Sequence, residues 1–420
     1  MLPALRSRNF RLLFAGQAVS QIGDALFPVA LAFAVLDLGG TPAQLGLVLA
    51  AQGLPLAVLI LAAGVWADRL PRQLIMFVSD VGRGLAQAAV AVLLLTHNAE
   101  IWHLAALSAV YGIFEAGFRP AAGGLMPQIV ESEHLQQANA LLGLSRNAGT
   151  ILGPAAAGLL IAASGPGEAI AIDAATFAVS AIFLLGIETG RRAPWPRGRD
   201  EARATGGDDA SLARRGRFWT DLKAGFDEVR ERAWIRRYMP VMAAYHLIAL
   251  PGLLALGPVI ADRDLGGAAA WGAITSAFGV GTIIGNAIAL KVQPRRPMLV
   301  ATVATAFAAT QPISMALAPG TATIAVLLGL AGIAVSFAFG QWETTLAREI
   351  PEHALARVTS LDYLASAGLM PLGFALVGPV AALAGTTATL VTSGLVVIAL
   401  AALATAHPQI RRASPVPSRV

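Results

Sequence analysis

Cysteine is absent from the chain, so neither a disulfide nor thiol chemistry contributes to fold or function. Histidine is scarce, six residues scattered without metal-ligand spacing, which argues against a metal centre. Charge is scarce as well: 13% of residues are Asp, Glu, Lys or Arg, where a soluble globule carries about 25%. That deficit excludes an ordinary water-exposed surface. No Gly-rich phosphate loop ending in Lys and Ser or Thr occurs, so direct use of ATP is not expected. No nucleophile and base stand in a catalytic pattern, so an enzyme is not expected, nor is a cofactor.

What is present in excess is apolar sequence. Hydrophobic residues make up 56% of the chain, and the mean hydropathy is +0.66. A helix needs roughly 20 residues to cross about 30 Å of hydrocarbon. Twelve runs are long enough, approximately 12–36, 43–66, 74–95, 101–122, 138–163, 168–187, 238–260, 268–290, 297–317, 321–343, 357–382 and 385–406. The first is too long for a signal-peptide core and is retained as a span. The fold class expected is an all-α polytopic membrane protein.

The net charge of +5 belongs to short loops rather than to a nucleic-acid surface. With the N-terminus inside, nearly every Lys and Arg falls in an inner segment, the clusters including Arg6, Arg8 and Arg11; Arg69 and Arg72; Lys291, Arg295 and Arg296; and Arg411 and Arg412. Arg146 is left within a span and Arg263 in an outer loop. Both termini are therefore expected to be cytoplasmic.

Six spans (1–187) and six spans (238–420, with a short tail) flank the one long polar stretch, 188–237. Its second part, Phe218 to Arg236, has apolar residues at near-helical spacing and predicts an amphipathic helix at the inner surface. The segments "LMPQIVESEHLQQANAL" and "LAREIPEHALARVTSL" join the fourth to the fifth and the tenth to the eleventh span and echo one another. Six plus six parallel repeats predict two bundles related by a pseudo-two-fold axis, with a cavity between them. A monomer suffices to build it.

The loop "GVWADRLPRQL" and the stretch "GTILGPAAAG" carry a family likeness. Gly64, Asp68, Arg69 and Arg72 match the signature loop between the second and third spans of the major facilitator superfamily, although Pro71 stands where Gly is usual and Gln73 where a basic residue is common. Gly149, Gly153, Pro154 and Gly158 resemble that family's antiporter signature. Phe118, Pro120, Pro127, Asn139, Ala140 and Arg146 bring the chain nearest to its macrolide-efflux and siderophore-exporter members. The resemblance implies twelve spans in the cytoplasmic (inner) membrane of a bacterium. It also implies secondary efflux of a lipophilic or amphipathic small molecule, a macrolide or a siderophore-like compound for example, by proton antiport and alternating access. An uptake permease or proton symporter, or a lipid-handling transporter of the same fold, remains the alternative.

Ionisable groups inside spans point to function because an unpaired charge costs several kcal/mol in hydrocarbon. Gln17, Gln21 and Asp24 form a polar stripe in the first span, Glu115 lies in the fourth and Arg146 in the fifth. Asp24 and Glu115 suit proton uptake or cation recognition, or else a structural pair with Arg146 or another polar neighbour. Tyr245 and His246, and Gln341, Trp342 and Glu343, are the comparable groups of the second half. Glu343 could gate with Arg348 or Arg357, and Asp362 could pair with it or with Asp68. Asp68 with Gly64, Arg69, Arg72 and Asp362 suits a conformational latch. Asp173 reads as structural.

Overall fold

The computed structural model describes residues 3–67, 70–188 and 226–412, and among them only helices and turns occur. Twelve are long and apolar enough to span a membrane. They are α1 (Arg8–Asp37), α2 (Pro42–Ala67), α3 (Arg72–Leu95), α4 (Ile101–Ile129), α5 (Leu135–Ser164) and α6 (Pro166–Leu185) in the first half. The second half holds α7 (Ala233–Leu265), α8 (Gly267–Lys291), α9 (Pro297–Leu317), α10 (Thr321–Glu349), α11 (Arg357–Ala384) and α12 (Thr386–Thr405).

The twelve spans expected are found, and several exceed their apolar runs. Helix α4 continues to Ile129 and α10 to Glu349, while α7 begins at Ala233. An apolar run marks only the lipid-embedded part of a helix, whose hydrogen-bond ladder continues into the polar layer. The expected amphipathic helix over 218–236 lies partly outside the described residues. Of its remainder, 226–231 are helical, the helix breaks at Arg232, and the residues beyond it form the start of α7. Val229 and Ile235 there are buried against Met298 and Trp342, and the backbone N–H of Trp234 donates to Gln409.

Helix ends are made by local chemistry. Ser7 caps α1 by accepting the Phe10 N–H, and Glu100 forms a capping box with His103 at the start of α4. The tight α5–α6 and α11–α12 turns require left-handed φ values, supplied by Gly165 (φ 106°) and Gly385 (φ 86°).

Helices α1–α6 pack as one bundle and α7–α12 as a second, joined mainly by α5 against α8 and α2 against α11. Both seams rest on glycine. Gly272 meets the carbonyl of Pro154, Gly158 that of Ala268, Gly46 that of Phe374, and Gly378 the backbone of Ala43, each so close that a Cβ would overlap. All these contacts lie in the half of the bundles remote from the chain termini. The seam reaches Gly279 against the Thr150 carbonyl at mid-span; further toward the termini the same α5 face continues as Arg146, Asn147 and Asn139, all exposed, while α8 ends in the exposed Asn286 and Lys291. Polar side chains on a span are not lipid-facing by choice. The bundles are therefore sealed at the far end and parted at the end that carries the termini.

The halves differ in regularity. Helices α1–α6 each run as one continuous α-helix, with internal prolines at Pro28, Pro55, Pro120, Pro127 and Pro154. In contrast, α7 contains two π-helical turns (Tyr245–Ala249 and Ala261–Leu265), α9 is interrupted near Ala309, and α11 contains a 3₁₀ turn at Ala367–Leu369. The first π turn touches that 3₁₀ turn.

Because the chain has no native cysteine, access can be read from single introduced thiols. Cysteine at Asn147 or Asn286 should react with a membrane-impermeant maleimide from the termini-bearing face, and cysteine at Ala50 or Ala268 should be protected from both faces. Preferential labelling of Ala268→Cys would show the opposite access state.

Candidate functional site

The first bundle holds a buried polar cluster at its centre. Arg83, on α3, is 3% exposed and pairs with Asp80 one turn earlier (Nη2 to Oδ1, 2.5 Å). Its other amine lies 3.6 Å from Asp24 on α1. The Tyr111 hydroxyl of α4 donates to the same Asp24 oxygen at 2.8 Å. Ser180 of α6 donates to the second oxygen of Asp80 at 2.6 Å. Four helices thus converge on one guanidinium and two carboxylates.

The cation is also clasped by rings, with Phe118 and Phe177 centroids 4.4 Å from its central carbon. Asp173 on α6 is fully buried and accepts from Gln87 at 3.0 Å through one oxygen; the other has no partner. Its closeness to α1 depends on Gly23, where a Cβ would overlap the Asp173 carboxylate and Thr176. Glu115 lies one α4 turn from Tyr111, with Arg119 at 3.8 Å and Gln52 facing it from α2. Arg119 is itself 72% exposed. Four carboxylates, those of Asp24, Asp80, Glu115 and Asp173, therefore surround one buried cation. Asp24 is the wettest of the three nearest to it, its side chain 33% exposed against 0% for Asp80 and 16% for Glu115.

The structure brings Asp24 and Glu115 into one site, yet the arginine at its centre is Arg83, not Arg146. Arg146 is exposed on α5 and forms no ion pair among the described residues. The expectation that all basic residues but Arg146 and Arg263 sit in inner loops fails at Arg83, which lies mid-span. Asp173 is a member of the cluster rather than an isolated structural acid. The overlooked signal was an Asp and an Arg three residues apart inside an apolar run, Asp80 and Arg83, a spacing at which two side chains share a helix face. Gln21 donates to Gln17 at 3.5 Å, which confirms the polar stripe leading to Asp24.

The four small residues of α5 serve two neighbours. Gly149 and Gly153 meet Gln21 and Ala25 of α1, and Pro154 and Gly158 meet α8. In the loop after α2, Asp68 and Arg69 lie outside the described residues, and Gly64 is in the last turns of α2. Arg72 donates to the Gly124 carbonyl of α4, and Gln73 donates to the carbonyls of Leu184 (2.6 Å) and Ile187 (2.8 Å) at the end of α6. These bonds tie the start of α3 to α4 and to the end of α6.

The polar groups of the second bundle are joined chiefly by hydrogen bonds and ring contacts. Tyr245 accepts from Gln311 at 3.1 Å, Tyr238 bonds Thr305 at 2.9 Å, and Trp342 packs on the Tyr238 ring at 4.9 Å. His246 lies in the first π turn and its Nδ1 donates to the Met242 carbonyl at 2.9 Å. Glu343 has Asp362 within electrostatic reach, while Arg348, five positions further along the helix, points in another direction. Gln341 donates to the Val292 carbonyl and so belongs to the α8–α10 contact, away from the bundle interface.

A sequence model of the Major Facilitator Superfamily matches residues 13–373. The chain belongs to this superfamily. Among members of the superfamily, an uncharacterized MFS-type transporter, YfiS of Bacillus subtilis, is 34% identical over a stretch covering 42% of each chain. The multidrug efflux pump Tap of Mycolicibacterium fortuitum is 26% identical over 95% of both chains. Macrolide efflux protein A of Streptococcus pyogenes is 24% identical over 96% of this chain and 97% of its own. The crystal structure of a bacterial homologue of the human lysosomal transporter Spinster, in an inward-facing unoccupied conformation, superposes with a TM-score of 0.69 at 16% identity, covering 99% of this chain and 100% of that one. The superfamily assignment makes this chain a secondary transporter of a small molecule, with no enzymatic site.

Removing one partner of a buried pair leaves the other uncompensated, at a cost of roughly 3–5 kcal/mol. Arg83→Gln should therefore lower the unfolding temperature of the detergent-solubilised protein by several degrees and abolish transport. Arg83→Gln combined with Asp80→Asn should recover stability without recovering transport. A stable, fully active Arg83→Gln single variant would remove Arg83 from the site.

Proposed function

We propose that the protein is a proton-coupled exporter of lipophilic or amphipathic small molecules in a bacterial cytoplasmic membrane. It works as a monomer with both termini in the cytoplasm. The observation carrying this reading is the charge imbalance of the first bundle: four carboxylates around one buried guanidinium, at the wall of a cleft open at one end. A low-dielectric site cannot hold that many negative charges uncompensated, so the surplus carboxylates bind protons or a positively charged cargo. Asp24 is the exchanging group, because it alone combines contact with Arg83 and access to water.

The steps follow from that geometry. With the cleft open to the cytoplasm, Asp24 releases its proton and its charge draws on Arg83 and the Tyr111 hydroxyl. Cargo enters from the cytoplasm or the adjoining leaflet and lies against apolar and aromatic walls that include Phe118, with Gln21, Glu115 and Arg146 as polar partners on the first half and Tyr245, His246, Trp342 and Glu343 on the second; Gln341, held in the α8–α10 contact, stands apart from this path. Closure at the termini end and opening of the glycine seams at the far end expose Asp24 to outside protons. Protonation then loosens its hold on Arg83, which remains held by Asp80, and the site no longer favours cargo. Antiport results because proton and cargo compete for one electrostatic vacancy.

The domain limits of this reading are 1–187 and 238–420, with 188–237 as linker. The loop with Gly64, Asp68, Arg69 and Arg72 is its latch, anchored where Arg72 reaches α4 and completed by Asp362. Gly149, Gly153, Pro154 and Gly158 set the α5 packing that the exchange requires. One observation supports export: the efflux pumps similar over nearly the full length.

Proteoliposomes with an imposed pH gradient should accumulate an amphipathic dye or a macrolide only with the wild-type protein. Asp24→Asn should lower the gradient-dependent rate at least tenfold while leaving the protein folded. Unchanged gradient dependence in Asp24→Asn would move the coupling group elsewhere, and wild-type accumulation in the opposite direction would make the protein an importer.

A further inference from the structure

At the termini-bearing end of the second bundle, a pocket of about 220 Å³ lies between the ends of α8 and α10 under the loop joining α8 to α9. Gln341, Thr344, Thr345, Arg348 and Glu349 form its polar side, and Leu290 and Pro294 belong to its apolar side. The floor is built rather than accidental. Gln341 and Thr345 are each 6% exposed, Gln341 donates to the loop carbonyl of Val292 at 3.3 Å, and the Thr345 hydroxyl donates to the Gln341 carbonyl at 2.7 Å.

The pseudo-two-fold relation gives this pocket a counterpart. In the first bundle the equivalent space, between the end of α4 and the loop joining α2 to α3, is entered by Arg72, which donates to the Gly124 carbonyl. The α8–α9 loop sends no such side chain inward: Arg295 and Arg296 are both exposed. The space therefore stays open, and Arg348 on its wall forms no ion pair among the described residues. Lys291, Arg295 and Arg296 add three exposed cations around the same loop, against one carboxylate, Glu349.

We infer that this pocket binds the phosphate-bearing headgroup of an anionic phospholipid from the leaflet on the side of the termini. Depth selects a lipid over a free anion. The pocket's apolar side is made by Leu290, 85% exposed, with Pro294 and Pro297 beside it. A headgroup seated against Arg348 leaves its acyl chains against Leu290. Thr344, whose hydroxyl donates to the Gly340 carbonyl, can turn that one donor to a headgroup oxygen at the rim. Basic pockets between spans near the membrane surface have the charge that anionic headgroups require. Occupied, the site would brace α10 against α8, the helix whose Gly272 holds the far-end seam with α5.

The test uses the purified full-length protein in a non-ionic detergent, with thermal unfolding followed during titration by dioleoylphosphatidylglycerol, dioleoylphosphatidylcholine or inorganic phosphate. Phosphatidylglycerol should raise the midpoint saturably, the other two should not, and Arg348→Gln should raise the half-saturating concentration at least tenfold. Thr344→Trp, which fills the pocket from its rim, provides a second variant if Arg348→Gln folds poorly, and should give the same loss. Equal stabilisation by inorganic phosphate would make the ligand a free anion, and equal stabilisation by phosphatidylcholine would remove headgroup charge as the basis of recognition. Titrations of both variants that superimpose on the wild type would place the lipid elsewhere; each of these three results overturns the proposal.

Discussion

A single guanidinium in hydrocarbon organises the first bundle. Arg83 cannot remain there without compensation, and each helix around it supplies some: Asp24 from α1, Asp80 from α3, aromatic faces from α4 and α6, and Ser180 bracing Asp80 from α6. The crossing positions of these helices are thereby tied to one point. Tyr111 repeats the theme, since its ring stacks on Phe27 at 5.1 Å while its hydroxyl reaches Asp24. The cluster is the structural keystone of the bundle, and it holds more carboxylates than buried cations. Any change in the occupancy of Asp24 is felt at the node on which four helices depend.

The second constraint is steric. In lipid there is little hydrophobic gain from bringing two apolar helices together, so close backbone approach has to supply the attraction. Between the bundles that approach is confined to one end, where Gly46, Gly158, Gly272 and Gly378 meet backbone atoms across the seam. Contacts of this kind bury no charge and break no hydrogen bond on opening. They can separate and reform at modest cost, which an alternating cycle asks of its seal.

The fold was legible because the cost of burying backbone leaves helices as the natural solution for long apolar runs, and twelve runs of the needed length stand out. Helix ends were less so: at Ile129, Ala233 and Glu349 hydrogen bonding outlasts hydrophobicity. Of the site, Asp24 and Glu115 could be found by asking which charges sit in apolar runs, and the same question finds Asp80 and Arg83. What no one-dimensional reading supplies is convergence. That Arg83 rather than Arg146 meets Asp24, and that Glu343 has Asp362 within electrostatic reach, depends on helix rotation, which packing decides. Gly23 illustrates the difficulty, for its role in admitting Asp173 to the cluster is invisible until α1 and α6 are placed side by side.

Among the described residues, the changes from α-helical to π or 3₁₀ register and the break inside a span fall in α7, α9 and α11, and two of them, the π turn at Tyr245–Ala249 and the 3₁₀ turn at Ala367–Leu369, touch. A regular helix resists bending, whereas a π or 3₁₀ turn can exchange one hydrogen-bond register for another at little cost. The two halves are therefore mechanically unequal. The first behaves as a stiff frame around its charged node. The second carries a compliant joint that crosses from α7 to α11, so the two ends of its helices can tilt by different amounts, and the gates at the two faces of the membrane can move without being levers on one rigid beam.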